Sequence, residues 1–249
     1  MEHPRRDVSA LALLAGGTLC ACAAPRNREP LRIQLPAAPP IELVRIGAHA
    51  DGNGFWIGRT EVTQAQYAAF VRATGYDGSD HPSTKPSEPF LQAWTGGTPP
   101  SGRDGYPVCN VNVHHARAFC AWLTGLSGRT VRLPTDAEWS LAAGGLGHRK
   151  FPWGDVWDPA RCNWGDSEGH DRFGFADGFE EAAPVGSFPL GATPEGVLDL
   201  AGNIWEWTVE EHLRGGPWCL GPESQECAAV AREDPGRADD KFGFRVVVE

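Results

Sequence analysis

The 249-residue chain has no excess of basic side chains, since 22 lysines and arginines face 32 acidic residues and the formal net charge is -10. Nucleic acids and anionic membrane surfaces are bound through basic patches, so we expect neither as a partner. The chain also has no long apolar run at its N-terminus, because Val8–Leu19 is too short to cross a bilayer as a helix. No internal repeat is visible, so a repeat-array architecture is not indicated.

Glycine, proline and tryptophan are abundant, with 31, 21 and 10 residues. Many glycines and prolines indicate a loop-rich domain, and many tryptophans indicate large apolar anchors beneath its loops. A hydrophobic fraction of 41% and a charged fraction of 22% are ordinary for a globular protein and exclude wholesale disorder. At this length, one large domain can bury a sizeable core.

The N-terminal segment has the pattern of an export signal, because Arg5 and Arg6 precede the apolar run. The run ends in Leu19-Cys20-Ala21-Cys22, which resembles a bacterial lipoprotein cleavage box and would make Cys22 the lipidated first residue. The alternative is ordinary cleavage after Ala21-Cys22-Ala23. Both alternatives export the protein, so we expect it in the periplasm or anchored to a bacterial membrane through lipid alone. We assign residues 1–22 to the signal, 23–40 to a Pro-rich tether and 41–249 to the folded domain.

Capping patterns predict three short helices. Thr63 with Gln66 and Thr135 with Glu138 form capping boxes, and Asn112 can cap a helix between them. Glycines predict the three helix ends, in chain order at Gly75, Gly125 and Gly144-Gly145. Short strands are expected at Glu42–Ile46, Thr130–Leu133 and Phe244–Val248. The other segments, above all 76–106 and 146–197, are rich in turns, so the sequence predicts an irregular α+β single domain with short antiparallel strands.

Several motifs of one family follow one another in the family's order from about residue 55 to the C-terminus. They include Ile57-Gly58-Arg59-Thr60-Glu61-Val62-Thr63, Arg132-Leu133-Pro134-Thr135, Phe151-Pro152-Trp153-Gly154-Asp155, Gly202-Asn203-Ile204-Trp205-Glu206-Trp207-Thr208 and Gly243-Phe244-Arg245. The chain therefore resembles the sulfatase-modifying-factor family, whose formylglycine-generating-enzyme fold is a variant of the C-type-lectin-like fold. Arg132 and Arg245 lie in these motifs, and we expect them to satisfy buried acids or carbonyl groups rather than to bind substrate.

The resemblance implies two structural calcium sites, because members of the family hold their long loops with calcium. The first set comprises Asn163, the carbonyl group of Trp164, and Asp177 with Phe179. The second set comprises Asp199, Gly202, Ile204 and Glu206, and we prefer it because it has two acids at family positions. Mixed carboxylate, amide and carbonyl oxygens suit calcium. The alternative is that these acids only cap turns.

The chain has seven cysteines, and export permits disulfides. The resemblance implies a structural bridge between Cys120 and Cys227. Cys109 and Cys162 could bridge each other.

Formylglycine-generating enzymes oxidise a substrate cysteine with copper, which is held by two cysteines five residues apart after an Arg-Gly-Gly-Ser motif. Here Arg214-Gly215-Gly216 precedes Pro217, and Cys219 lies within one residue of the first catalytic position. Ser224 stands five residues further on, and the next cysteine is Cys227. Two thiolates suit Cu(I), so the copper pair is incomplete unless Cys219 and Cys227 form it.

We therefore expect a divergent or non-catalytic, calcium-stabilised binding or accessory module, monomeric, with an exported protein, a peptide or a glycan as partner. The alternative is a copper-dependent oxidase that generates formylglycine on a cysteine of an exported protein such as a sulfatase, with Cys219 as the catalytic thiol. A third alternative is a structural accessory of an envelope complex. Fold alone does not decide among these functions.

His114-His115 is expected to be a solvated helix start.

Overall fold

The computed structural model describes residues 29–47, 54–165 and 177–249. The predicted export signal at 1–22, its lipidation site Cys22 and the first part of the predicted tether lie outside these residues. In the described parts of the chain, no helix is long and apolar enough to cross a membrane.

The N-terminal hairpin corrects the predicted tether. Strands β1 (Leu31–Leu35) and β2 (Ala38–Ile46) pair antiparallel, so the folded structure begins about ten residues earlier than the sequence predicted. The prolines that suggested a tether are compatible with the hairpin, since Pro36 lies in its turn and Pro39 precedes the part of β2 that pairs with the next strand. Alternate apolar side chains of the hairpin, including Ile33 and Ile41, are buried in the core.

The hairpin forms one side of a five-stranded sheet whose order is β1-β2-β3-β9-β4, with every neighbouring pair antiparallel. Its other strands are β3 (Phe55–Gly58), β4 (Val131–Arg132) and β9 (Val247–Val248). The last strand, β9, lies between β3 and β4 and pairs with both, so the C-terminal segment joins strands from two distant parts of the chain. The strand predicted at Glu42–Ile46 lies within β2, and the one predicted at Thr130–Leu133 contains β4.

Three helices occur where the capping patterns placed them: α1 (Gln64–Thr74), α2 (Val113–Ser127) and α3 (Asp136–Gly144). Both predicted capping boxes and the Asn112 cap form, and α1 and α3 end at the predicted glycines. The predicted end of α2 at Gly125 is wrong. The helix continues to Gly128, which adopts φ 66 and has its N–H bonded to the Thr124 carbonyl.

A second, four-stranded sheet has the order β7-β6-β5-β8. It consists of β5 (Trp205–Trp207), β6 (His212–Arg214), β7 (Ala231–Arg232) and β8 (Phe242–Gly243). The β5–β8 pair is parallel and the others are antiparallel. The single strand predicted at Phe244–Val248 is therefore replaced by β8 and β9, which belong to different sheets.

The core is built from two clusters of buried side chains. The larger contains Tyr67, Phe119 and Phe244, whose rings contact one another at centroid distances of 5.5 to 6.2 Å. The smaller contains Trp139, a fully buried residue of α3. Together the helices, sheets and irregular loops form the α+β domain that the sequence predicted.

Candidate functional site

A buried ion pair lies between the two sheets. Both side chains of Arg245 and Glu206 are 0% exposed, with Arg245 Nε donating to Glu206 Oε2 at 2.6 Å and Nη2 donating to Oε1 at 2.7 Å. Trp139 Nε1 also donates to Glu206 Oε2, at 3.0 Å. The remaining guanidinium donors reach the carbonyl groups of Gly58 and Leu198. Arg245 thus satisfies buried acids and carbonyl groups, as expected.

Two further acids lie near this ion pair. Glu61 is 1% exposed, and burial, followed by repulsion from the Asp199 carboxylate, raises the pKa of Glu61 well above its usual value. Its Oε1 accepts from Asn203 Nδ2 at 2.9 Å, whereas its buried Oε2 has no partner within the described residues. The region therefore holds more buried carboxylates than Arg245 alone neutralises.

Hydrogen bonds to Asp177 bring the two parts of the first predicted calcium set together, and we call this arrangement of residues 163–164 and 177–179 the candidate calcium turn. Backbone N–H groups of Trp164 and Phe179 donate to the two carboxylate oxygens of Asp177, at 3.1 and 3.0 Å. Asn163 is 1% exposed, and its Nδ2 donates to the Glu181 carbonyl group at 2.9 Å. Its Oδ1 is buried and accepts no hydrogen bond from the described chain.

The open oxygens of this set fit a calcium ion. Besides Asn163 Oδ1, the carbonyl oxygens of Trp164 and Phe179 receive no hydrogen bond from any residue within 29–47, 54–165 or 177–249. A buried amide oxygen without a partner is rare in folded proteins. Amide, carbonyl and carboxylate oxygens together are the ligands that calcium prefers.

In the second predicted calcium set one of the two acids is already paired, so the preference for this set stays a prediction. Both oxygens of Glu206 accept hydrogen bonds from Arg245, whose positive charge already neutralises the carboxylate. Asp199 Oδ2 accepts from the N–H of Gly186 at 2.7 Å. A calcium ion at this set would compete with Arg245 for Glu206 and would draw its other oxygens from Asp199, Gly202 and Ile204.

No other metal centre is evident. Among the described residues, no three His, Cys, Asp or Glu side chains are grouped so that they could hold a metal ion.

Cys219 lies on a half-buried loop that the chain holds firmly. The side chain of Gln225 donates from Nε2 to the carbonyl groups of Pro217 and Leu220, at 3.2 and 2.9 Å. The N–H of Gly165 donates to the Leu220 carbonyl group at 3.1 Å. Partial burial raises the pKa of the Cys219 thiol, so the thiol is protonated at neutral pH.

The structure does not form the predicted bridge between Cys120 and Cys227. Cys120 packs in the larger core cluster and Cys227 in the smaller one, and both thiols are free. Cys109 and Cys162 are also free, so the suggested bridge between them is not formed either. Burial raises the pKa of Cys120 and of Cys227 to about 12, so both are packing residues with little thiolate character.

A family model described as the sulfatase-modifying factor enzyme 1-like domain matches residues 1–249. The chain belongs to this family. The inactive Cα-formylglycine-generating enzyme 2 of Bos taurus is 36% identical over 155 residues, which cover 56% of this chain and 49% of that protein. The formylglycine-generating enzyme of Streptomyces coelicolor is 33% identical over 266 residues, which cover 83% of this chain and 80% of that protein.

The fold of this sulfatase-modifying-factor member is also found in a solved structure. PvdO from Pseudomonas aeruginosa superimposes with a TM-score of 0.68 at 21% identity, covering 89% of this chain and 99% of PvdO. The expected formylglycine-generating-enzyme-like fold is thereby confirmed. The chain spans about half the length of the first relatives that it matches.

His115 contradicts the expectation of a solvated helix start. It is 0% exposed, its Nδ1 accepts from the N–H of Asn112 at 3.1 Å, and its Nε2 contacts the His81 carbonyl oxygen at 2.8 Å. Burial lowers the pKa of His115 to about 4, so the ring is neutral. Its neighbour His114 is partly exposed and stacks on His81 at a centroid distance of 4.2 Å.

Sequence reasoning missed the role of Asn203 in this family member. Its side chain contacts Asn163, Glu61 and the N–H of Ala183, and thereby joins the candidate calcium turn to the buried acids. Asn203 adopts φ 67, a left-handed conformation that asparagine tolerates better than most residues. An asparagine directly after a glycine, within a tryptophan-rich motif, was the signal that could have indicated it.

Proposed function

We propose that this protein is a non-catalytic, calcium-stabilised member of the sulfatase-modifying-factor family that binds an exported protein or peptide. One observation carries the proposal: the position five residues after Cys219, where a second thiol would complete a copper pair, is Ser224. Ser224 lies in a 3₁₀ turn, Pro222–Gln225, directly beside the Cys219 loop. A hydroxyl group does not replace a soft thiolate as a Cu(I) ligand.

The next cysteine along the chain is a poor substitute for the missing thiol. Cys227 is 5% exposed, packs with Trp139 in the smaller core cluster and has its carbonyl group bound by Arg214 Nη2 at 2.8 Å. The charges that act on its thiol are those of Arg149, Arg214 and Glu226, whereas those that act on Cys219 are Lys241, Asp240 and Asp239. The two thiols therefore have different surroundings, and a shared copper ion would require rearrangement of a packed core.

Relatives of both kinds are consistent with a member that has lost the chemistry. One similar protein is named an inactive Cα-formylglycine-generating enzyme, and others are named formylglycine-generating enzymes. Relatives named active and relatives named inactive are thus similar to this chain at comparable identity. Overall similarity therefore does not tell whether this chain is catalytic, and the residues of its site have to be considered.

In the proposed module, calcium occupies the first ligand set, with oxygens from Asn163, Trp164, Asp177 and Phe179. When bound, the ion supplies a cross-link between two irregular loops and performs no redox step. Asp177 orients the turn by accepting from two backbone N–H groups. Asn163 Oδ1 contributes the buried acceptor that no described residue satisfies.

Export is part of the proposal. It rests on the signal-like pattern of residues 1–22, with lipidation of Cys22 as the form that we favour. An acidic protein of net charge -10 would then meet its partner in the periplasm or at a membrane to which lipid alone attaches it.

A copper-dependent oxidase that generates formylglycine is the second candidate. It is favoured by the partly exposed Cys219 and by the relative from Streptomyces coelicolor, whose name states that activity. Under this alternative, Cys219 would bind Cu(I) with another thiol that the family spacing does not supply.

The deciding experiment compares the wild-type protein with Ser224→Cys, which restores the family spacing, and with Cys219→Ser. Each protein is titrated with Cu(I) against a chromogenic chelator and then incubated in air with a cysteine-containing sulfatase peptide. We expect no tight Cu(I) binding and no aldehyde in the peptide by mass spectrometry for the wild type, and a gain of Cu(I) affinity for Ser224→Cys. Cu(I) binding and aldehyde formation by the wild type, both lost in Cys219→Ser, would replace our proposal with the oxidase.

A further inference from the structure

A cleft in the loop around residues 153–161 has neither Cys219 nor a candidate calcium ligand in its lining. It has a volume of about 430 Å³ and is lined by Trp153, Asp155, Val156, Trp157, Asp158 and Arg161. This volume lies in the range of small-molecule sites. Val156 stands at its rim with 80% exposure.

The two indole rings of the cleft are held in place from below. Phe151 is 1% exposed and stacks on Trp153 at 5.4 Å with nearly parallel planes, and it also contacts Trp157 at 5.2 Å. The Trp153 indole N–H donates to the Val156 carbonyl group at 3.0 Å. Trp164 meets the Trp157 ring edge to face at 5.3 Å. The flat apolar faces are thus preformed rather than dependent on a ligand.

Three polar groups of the cleft have hydrogen-bonding capacity to spare. Within the described chain, Asp155 uses only Oδ1, which accepts from the N–H of Lys150 at 2.9 Å. Arg161 donates from Nε to Asp158 and from Nη1 to the Leu190 carbonyl group, and no described residue accepts from its Nη2. Trp157 makes only ring contacts with described residues, so none of them accepts from its indole N–H. The cleft therefore offers one acceptor and two donors beside two indole faces.

The charges of the cleft argue against an ionic ligand. Asp158 is already paired with Arg161 at 2.7 Å, and its other oxygen accepts from the N–H of Ala160. A cation attracted by Asp155 would be repelled by the Arg161 guanidinium, and an anion attracted by Arg161 would be repelled by both aspartates. A neutral ligand with donors and acceptors at its edge and an apolar face meets neither penalty.

We propose that this cleft binds a neutral saccharide. The C–H groups on one face of a pyranose ring carry slight positive charge and pack against the electron-rich face of an indole. The hydroxyl groups at the ring edge both donate and accept, so they can bond to Asp155 Oδ2, Arg161 Nη2 and Trp157 Nε1 together. This inference does not depend on whether Cys219 is catalytic, since none of the cleft residues belongs to the thiol loop.

The test titrates the purified full-length protein with neutral tetrasaccharides of glucose and of N-acetylglucosamine, by tryptophan fluorescence and calorimetry. We expect saturable binding of at least one of them. Trp157→Ala should weaken binding by about tenfold or more, because one stacking face and one donor are lost. Trp157→Phe keeps a ring and should weaken it less, whereas the matched control Trp94→Phe, at an aromatic residue of a different cavity, should change nothing.

Asp155→Asn separates a saccharide from a cation. The amide keeps an acceptor oxygen without the charge, so saccharide affinity should fall by less than about tenfold. Tetramethylammonium and a lysine-rich peptide serve as cationic probes. Binding of these probes that is lost in Asp155→Asn, without binding of any tetrasaccharide, would overturn the proposal, as would the absence of saturable saccharide binding or equal effects of Trp157→Phe and Trp94→Phe.

Discussion

Replacing one partner of the buried ion pair between Glu206 and Arg245 should lower the free energy of unfolding strongly. Glu206→Gln replaces one carboxylate oxygen by an amide group, which cannot accept from Arg245 and Trp139 as the carboxylate does. The guanidinium remains fully buried without its closest countercharge. Removal of one partner from a buried pair costs about 3–5 kcal/mol, so we expect a loss of that size in the free energy of unfolding.

A matched surface pair supplies the control. Glu42 pairs with Arg32 at 2.7 Å and with Arg59 at 3.3 Å, but the side chains of Glu42, Arg32 and Arg59 are 30%, 55% and 48% exposed. Water screens such a pair, so Glu42→Gln should cost about 1 kcal/mol or less. Urea unfolding of both variants, followed by tryptophan fluorescence, gives the two free energies under identical conditions.

The same measurement, repeated with calcium and with a chelator, tests the assignment of the calcium ligands. If Glu206 serves Arg245 rather than calcium, Glu206→Gln should lower stability equally in both conditions. Arg245→Met should cost at least as much as Glu206→Gln, because it also leaves carbonyl groups of Gly58 and Leu198 without their donor. A Glu206→Gln variant as stable as Glu42→Gln, or one that had lost its response to calcium, would refute the reasoning.

Three further predictions concern the candidate site and the helix start. In the wild type, calcium at a hundredfold excess over its Kd should stabilise the fold by about 2.7 kcal/mol, and Asp177→Asn should lose this stabilisation. Thermal unfolding with and without chelator measures it, and an undiminished response to calcium would exclude Asp177 as a ligand. Burial lowers the pKa of His115 from about 6.5 in the unfolded chain to about 4, so the free energy of unfolding should fall by up to about 3 kcal/mol as the pH falls through that window. His115→Gln keeps a capping side chain and should flatten the curve of stability against pH there. Cys219 should react with iodoacetamide before the buried cysteines, at a rate that still rises above pH 9; mass spectrometry that finds Cys227 labelled first would contradict the assignment.

Features set by neighbouring residues were predictable from the sequence. Thr63 with Gln66 and Thr135 with Glu138 form their capping boxes because a helix start is determined within one turn of the chain. The family motifs likewise indicated the α+β fold, since each is a short segment whose order along the chain is visible. The predicted end of α2 was wrong because Gly125 is tolerated inside the helix, whereas Gly128 takes the left-handed conformation that ends it.

Features set by distant residues were not predictable. The hairpin of β1 and β2 was predicted to be a tether because its prolines were taken as evidence against strands despite its alternating apolar residues. Its pairing with β3 depends on tertiary structure, which the local sequence does not show. The partner of Glu206 is 39 residues away along the chain, so a motif could place the acid without revealing Arg245 beside it. His115 was mistaken for a solvated residue because the groups that bury it, among them Tyr76, His81 and Phe90, lie far away along the chain.

The candidate calcium turn and the Cys219 loop are joined by backbone hydrogen bonds. The N–H of Asn203 donates to the Asn163 carbonyl group at 2.9 Å, and the N–H of Trp218 donates to the Asn203 carbonyl group at 2.9 Å. On the other side of Cys219, Leu220 is bound by the N–H of Gly165, where an added Cβ would lie 2.6 Å from the Cys219 Cα. Cys219 is therefore clamped on both sides by the segment that carries Asn163 and Trp164. With serine at position 224 the loop is still held in place, since Gln225 binds its carbonyl groups. The proposed non-catalytic function is thus compatible with an ordered loop, and an ordered surface is what a binding module requires.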